Sequence, residues 1–209
     1  MPIISKIAIG IFEDLSPLES VLDVGCGVKP YKKYIKAKKY IGIDVEVSGH
    51  DPANINADQY FDGLNIPFEG NTYDMVICMD VLEHAVDPDR LVREIYRVLK
   101  PGGLLYISVP FIFGQHEEPY DFRRYTSYGI KKFMELNGFL IEIFEKEFVG
   151  IEAFRRLGLS EVRRSCKGEF KLKHYFASAC IVFGCFLFKV LKVDMPAIYG
   201  SNQILVRKN

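Results

Sequence analysis

Two glycines one residue apart, Gly25 and Gly27, close the run Val21-Leu22-Asp23-Val24-Gly25-Cys26-Gly27. An apolar strand that ends in an acid and then a glycine turn brings backbone close to a ligand, because glycine has no Cβ and tolerates positive φ. Seventeen residues after Gly27, the apolar run Tyr40-Ile41-Gly42-Ile43 ends in Asp44. A glycine turn followed at this distance by a strand-end acid is how α/β folds hold an adenosine ribose. A second group of reactive residues lies in a polar-aromatic loop at 111–125, with His116 beside Glu117 and Glu118 and with Asp121 and Arg124 just beyond. A histidine there suits general-base work near neutral pH. Asp121 and Arg124 could hold a sugar diol and a phosphate, or pair with each other and order the loop.

The elements that must position these groups follow from the periodicity. Strands are expected at 20–24, 40–43, 58–61, 73–79 and 104–109. The run Tyr73 to Met79 is apolar almost throughout, as in a central parallel strand covered on both faces. Pro30 suggests a helix start after the glycine turn. Asp87-Pro88-Asp89 opens the clearest helix: Asp87 caps it, Pro88 takes its first position, and Leu91, Ile95, Val98 and Leu99 form its stripe. Pro101-Gly102-Gly103 is expected to stop it. Thr126 or Ser127 caps a further helix to Leu136. Strands at 139–148 and 203–206 are expected to pair as an antiparallel ribbon at one sheet edge. Pro2 to Phe12 is read as a short helix beside the sheet, not as a secretory signal.

The third glycine of Gly-x-Gly-x-x-Gly is missing, since Pro30 stands there. A dinucleotide needs that close helix approach for its pyrophosphate, so the pattern leans away from NAD. The chain has 209 residues, of which 49% are hydrophobic, enough for one well-packed α/β domain. Lys plus Arg equals Asp plus Glu, at 27 each, which argues against a general nucleic-acid binder. Five cysteines without a Cys-x-x-Cys suit reduced thiols in a cytoplasmic compartment. No metal is expected: His50-Asp51 is a lone pair in a loop, His174 is isolated, and the Cys180–Cys185 spacing is no metal motif. Residues 150–200 read as an insertion within a single domain spanning 1–209. From 151 to 175 it carries seven basic against three acidic residues, followed by fourteen uncharged residues from Tyr175 to Phe188. That run is short of the ~20 residues of a spanning helix. Burial under the sheet edge or in a homodimer interface is preferred over an interfacial helix at a bilayer.

These motifs resemble the class I S-adenosylmethionine-dependent methyltransferases, in particular the type 11 group. The resemblance spans roughly Ser20 to Gly138. It rests on Leu22 to Gly27, on Ile66-Pro67-Phe68 with Tyr73-Asp74, on Val81-Leu82-Glu83-His84, and on Arg97 to Gly103. It implies a Rossmann-like, doubly wound, seven-stranded sheet with one antiparallel strand and with S-adenosylmethionine across the strands' carboxyl ends. By the same resemblance Gly25, Cys26 and Gly27 contact the methionine part, and Asp23 helps hold its ammonium. Asp44, with Val45, accepts from the ribose, and Asp62 with Gly63 reads the adenine. Met79, Asp80 and His84 complete the cofactor shell.

His116 to Thr126 is similar to a subgroup associated with cell-surface glycan synthesis. The expectation is O-methylation of a small or glycan-type acceptor, with lipid-linked glycans included, and with His116, Asp121 and Arg124 as catalytic candidates. The alternatives are methylation of a quinone or other lipophilic ring, and a cofactor-binding adaptor without turnover. A cytoplasmic protein is expected, at the inner face of the membrane if residues 151–194 make peripheral contact with it.

Overall fold

The computed structural model describes residues 4–47, 55–166, 172–193, 195 and 197–209. The chain divides into two compact units, one of residues 1–110, 116–145 and 202–209, the other of 111–115 and 146–201. The first unit holds α1 (Lys6–Asp14), β1 (Leu18–Val24), β2 (Ala37–Val45), β3 (Gln59–Phe61), β4 (Tyr73–Met79), α2 (Pro88–Val98), β5 (Leu99–Pro110) and α3 (Ser127–Leu136). It also holds most of β6 (Phe139–Glu147) and β7 (Ser201–Lys208), whose ends run into the second unit. The seven strands form one mixed sheet in the order β3-β2-β1-β4-β5-β7-β6. The last two strands are neighbours at an edge as expected, although β7 lies inside and only β6 is the edge strand.

The register sets up the site. β1 runs parallel to both β2 and β4, and Val24 stands level with Ile43 on one side and Cys78 on the other. The turns after β1, β2 and β4 therefore open side by side. Strand order reverses there, which is where open α/β sheets bind ligands. Alternation sends neighbouring residues to opposite faces. Leu22, Val24, Val76 and Cys78 pack with Leu91, Ile95 and Val98 of α2. Val21, Met75 and Ile77 join Ala8 and Phe12 of α1 on the other face. Phe12 meets Tyr106 edge-on at 4.8 Å between centroids, which fixes α1 beside the sheet.

Three local expectations change. No α-helix follows the glycine turn; a three-residue 3-10 turn, Lys32–Tyr34, takes its place. Lys29 has φ 55°, and its Nζ is tied to Asp58 at 2.8 Å, so the chain bends where a helix would have begun. Tyr31 and Ile35 anchor this short span in the core, with Tyr34 packed against it. Next, Pro101-Gly102-Gly103 does not separate α2 from β5. The helix ends at Val98, the strand begins at Leu99, and a register shift between Tyr73 and Met75 absorbs the glycines.

The third change lies in the second unit. There α4 (Ile151–Ser165) packs on α5 (Leu172–Val190), close enough at Gly158 that a Cβ would stand 3.1 Å from Ile181. α5 outruns the uncharged stretch by taking in Lys173 and Lys189. The expected burial of this helix is not observed: only 11% of its most apolar window is covered, with Phe176, Phe183 and Phe186 exposed. Within the described residues of this unit, α4 covers one stripe of α5 and much of the remaining apolar surface is exposed. The five cysteines are free.

The Asp87 carboxylate caps α2 by accepting from the Arg90 N–H at 2.9 Å. Asp87→Ala is expected to lower stability by about 1 kcal/mol, read as a shift in the urea midpoint with an unchanged slope.

Candidate active site

The glycine turn is fastened to β2 by backbone and by one carboxylate. The Gly25 and Cys26 N–H groups donate to the Ile43 carbonyl at 2.9 and 3.1 Å. Asp44 Oδ2 accepts from Gly27 N–H and Oδ1 from Val45 N–H, each at 2.8 Å. Each carboxylate oxygen keeps acceptor capacity for a further donor. Gly25 adopts φ 69°, and a Cβ there would run into Val81 Cγ2. This is a turn that only glycine fills.

Above it opens a cavity of about 680 Å³, within the range of cofactor sites. Gly25, Asp44, Val45, Asp62, Gly63 and His84 of the expected cofactor set line it, joined by Glu46, Tyr60, Glu117 and Tyr120. Asp23, Cys26, Gly27, Met79 and Asp80 do not. Asp23 is buried beneath the turn, where the Tyr40 hydroxyl donates to it at 2.5 Å. Burial, aided by Asp44, pushes its carboxyl up to about 7 against that hydrogen bond. Cys26 is packed against Gly42, and burial drives its thiol up to about 12, so it is no reactive thiol. Asp62 folds its own loop, accepting from the Leu64 and Asn65 N–H groups at 2.8 and 2.6 Å. The Asp80 N–H donates to the Ser108 carbonyl, and its carboxylate accepts from the Ser108 hydroxyl at 2.8 Å. His50 and Asp51 lie outside the described residues.

At the other end the loops after β4 and β5 meet. His84 Nε2 and His116 Nε2 face each other at 3.2 Å, with the rings edge to face. His84 Nδ1 lies 2.9 Å from the Tyr120 carbonyl, and His116 Nδ1 lies 3.3 Å from Asp121 Oδ2. Arg124 forks onto Asp121 at 2.5 and 2.7 Å, and this pairing holds the Asp121 carboxyl down at about 2. Asp121 and Arg124 thus pair with each other, and Asp121 orients His116. Two further acids converge here: Glu83, which the residue pattern gave no role, and Glu117, which was expected to orient His116 and lies against His84 instead. Glu117 Oε1 is 3.6 Å and Glu83 Oε1 3.8 Å from His84 Nε2. Glu83 is fully buried, neither of its oxygens has a hydrogen-bond partner among the described residues, and burial raises its carboxyl well above the usual range. The one hint in the sequence was its place beside His84 at the end of a buried strand.

Residues 22–107 match the family model described as "Methyltransferase domain". This stretch is a class I, S-adenosylmethionine-dependent methyltransferase domain of the type 11 group. Among curated relatives, the ubiquinone biosynthesis O-methyltransferase of Coxiella burnetii is 33% identical over 100 residues, which cover 42% of each chain. The chain thus spans less than half the length of that relative. Among solved structures, the [4+2]-cyclase SpnF superposes with TM-score 0.63 at 20% identity, over 97% of this chain and 79% of the other. Phosphoethanolamine N-methyltransferase 2 of Haemonchus contortus, solved with S-adenosyl-L-methionine, gives 0.58 at 21%, over 97% of this chain and 51% of the other. At those identities the likeness is one of fold.

The cavity suits the methyltransferase cofactor. Its described lining includes Asp44, Glu46, Asp62 and Glu117 but no lysine or arginine. Such a lining repels phosphates and complements a cation. Gly25→Ala is expected to weaken S-adenosylmethionine binding at least tenfold by calorimetry, since the left-handed turn must open. Asp23 gives a pH signature. Its folded value of about 7 lies above the unfolded value of about 3.9, so its stabilising effect is complete at low pH and is lost as pH rises through 7. Between pH 5 and 8 the ligand-free protein should lose about 2–3 kcal/mol more than Asp23→Asn does, measured by denaturant titration at each pH.

Proposed function

We propose that the chain transfers a methyl group from S-adenosylmethionine to an oxygen of a small acceptor presented at a membrane surface. The observation that carries this reading is the acid-lined cavity over the Gly25 turn, with His84 on its wall and His116 behind it at 3.2 Å. When bound, the cofactor supplies a methyl on a positively charged sulfur that leaves as a neutral thioether. Asp44 would accept from ribose hydroxyls, Asp62 and Gly63 would hold the adenine end, and Asp23 beneath the turn would balance the ammonium. The new bond is oxygen to methyl carbon, the broken bond is sulfur to methyl carbon, and the hydroxyl proton is released at the His84–His116 end. The chain's main task is alignment, holding oxygen and methyl carbon about 3–3.5 Å apart.

The membrane part rests on α5 and its neighbours. Its 19 residues make it the one helix among the described residues long and apolar enough to cross a bilayer. Its exposed phenylalanines, with Arg163, Arg164, Lys189 and Lys192 nearby in sequence, suit a helix lying in the interface of an anionic membrane. That would place the protein at the inner face of the cytoplasmic membrane, where a lipid-linked glycan acceptor would be found. A quinone-type lipophilic ring is the second reading, favoured by the curated relative from ubiquinone biosynthesis.

Tritium transfer from labelled S-adenosylmethionine onto membrane extracts should label the lipid phase. Label confined to the aqueous phase would remove the membrane acceptor, and no label at all would favour the adaptor without turnover. His116→Ala is expected to lower turnover at least a hundredfold while cofactor affinity stays within twofold. The double variant Phe183→Glu/Phe186→Glu should fail to float with anionic liposomes that carry the unaltered protein.

A further inference from the structure

We infer that Glu83, His84 and His116 form a binding site for a divalent transition-metal ion whose open position faces the cavity. One ligand atom from each of the three lies within 4.8 Å of the others. Two nitrogens 3.2 Å apart, each about 2.0–2.1 Å from a zinc-like ion, subtend roughly 100° at the metal, close to the tetrahedral angle. The hydrogen bonds around the rings dictate where their lone pairs point. The Tyr120 carbonyl can only accept, so His84 carries its proton on Nδ1. The Asp121 carboxylate draws the His116 proton to Nδ1 in the same way. The two Nε2 atoms then meet at 3.2 Å lone pair to lone pair, a repulsion that a metal ion or a proton between them relieves. These partners are also the outer shell that metal-bound histidines use, a carboxylate on one ring and a carbonyl on the other.

Glu83 is the second and independent observation. Its buried carboxylate lies 3.8 Å from His84 Nε2 and has no hydrogen-bond partner for either oxygen among the described residues. A shared proton could bridge two imidazoles, but it would leave both Glu83 oxygens without a partner. A metal ion engages all three groups together. Two imidazoles and a carboxylate suit zinc, iron or manganese better than calcium. Of the three, His84 lines the cavity, and the remaining coordination position is assigned to that side. Resting on the methyl-transfer reading above, that position would take the acceptor oxygen and ease loss of its proton. His116 is then a ligand, not a free base. The sequence spacing concealed the site because its ligands come from two loops 32 residues apart.

The test is cobalt(II) titration of the chelator-treated full chain, read by visible absorption and calorimetry. One ion per chain should bind, and His116→Ala and Glu83→Gln should each weaken binding at least tenfold. Melting curves and cofactor binding report whether each variant stays folded, and His116→Ala, in the more exposed loop, covers the case in which Glu83→Gln does not. Absence of cobalt binding up to about 1 mM, or equal binding by both folded variants, would overturn the site. If cobalt binds at these residues but S-adenosylmethionine does not bind at all, the methyl-transfer reading fails and the metal site stands. Cofactor binding and turnover that persist in chelator, with cobalt binding intact, would overturn the role given to the open position alone.

Discussion

A single carboxylate ties the glycine turn to the neighbouring strand beneath the cavity. Asp44 stands at the end of β2 and ties the Gly27 N–H of one loop to its own strand end through Val45. The glycine turn after β1 has no helix to lean on, since a short 3-10 turn follows it. Its geometry comes instead from β2, through Asp44 and the Ile43 carbonyl. Loss of that bridge would free the turn, and with it the floor of the cavity.

The cavity has a consistent electrostatic character. Acids line it, and the phosphate-binding devices of dinucleotide folds are missing: no third glycine and no basic residue among the described lining. A cationic ligand lowers the energy of such a lining, while a phosphorylated one raises it. Asp23 adds to this from below. Its carboxyl holds a proton near neutrality in the ligand-free chain, and a cation above the turn would draw it toward the ionised form.

The opposite wall uses paired groups. Arg124 fixes Asp121, Asp121 fixes His116, and the Tyr120 carbonyl fixes His84. Each step removes freedom from the next, which is what a reacting centre needs from its surroundings. The result is a convergent cluster of two imidazoles and a buried carboxylate, open to the cavity through His84. The second unit has a different surface. Its helix α5 leaves large apolar side chains uncovered by the chain, which is unusual for a surface exposed to water alone.

Much of the first unit was legible from residue order. The strand ending at Val24, the β4 run to Met79, the Asp87 cap and the α3 cap at Thr126 are local patterns, and local patterns survive folding. That Gly25, Asp44, Asp62 and Gly63 would meet was legible for the same reason: each stands at the end of a strand whose type was clear, and parallel register brings those ends to one cavity. What the tertiary structure alone decided is long-range. Whether Asp121 and Arg124 bind a ligand or each other depends on how a fifteen-residue loop closes. The meeting of Glu83, His84 and His116 depends on two loops from neighbouring strands. Burial of α5 depends on whether a partner exists to cover it. Strand order and loop docking settle such matters through distance in space, which one-dimensional spacing does not encode.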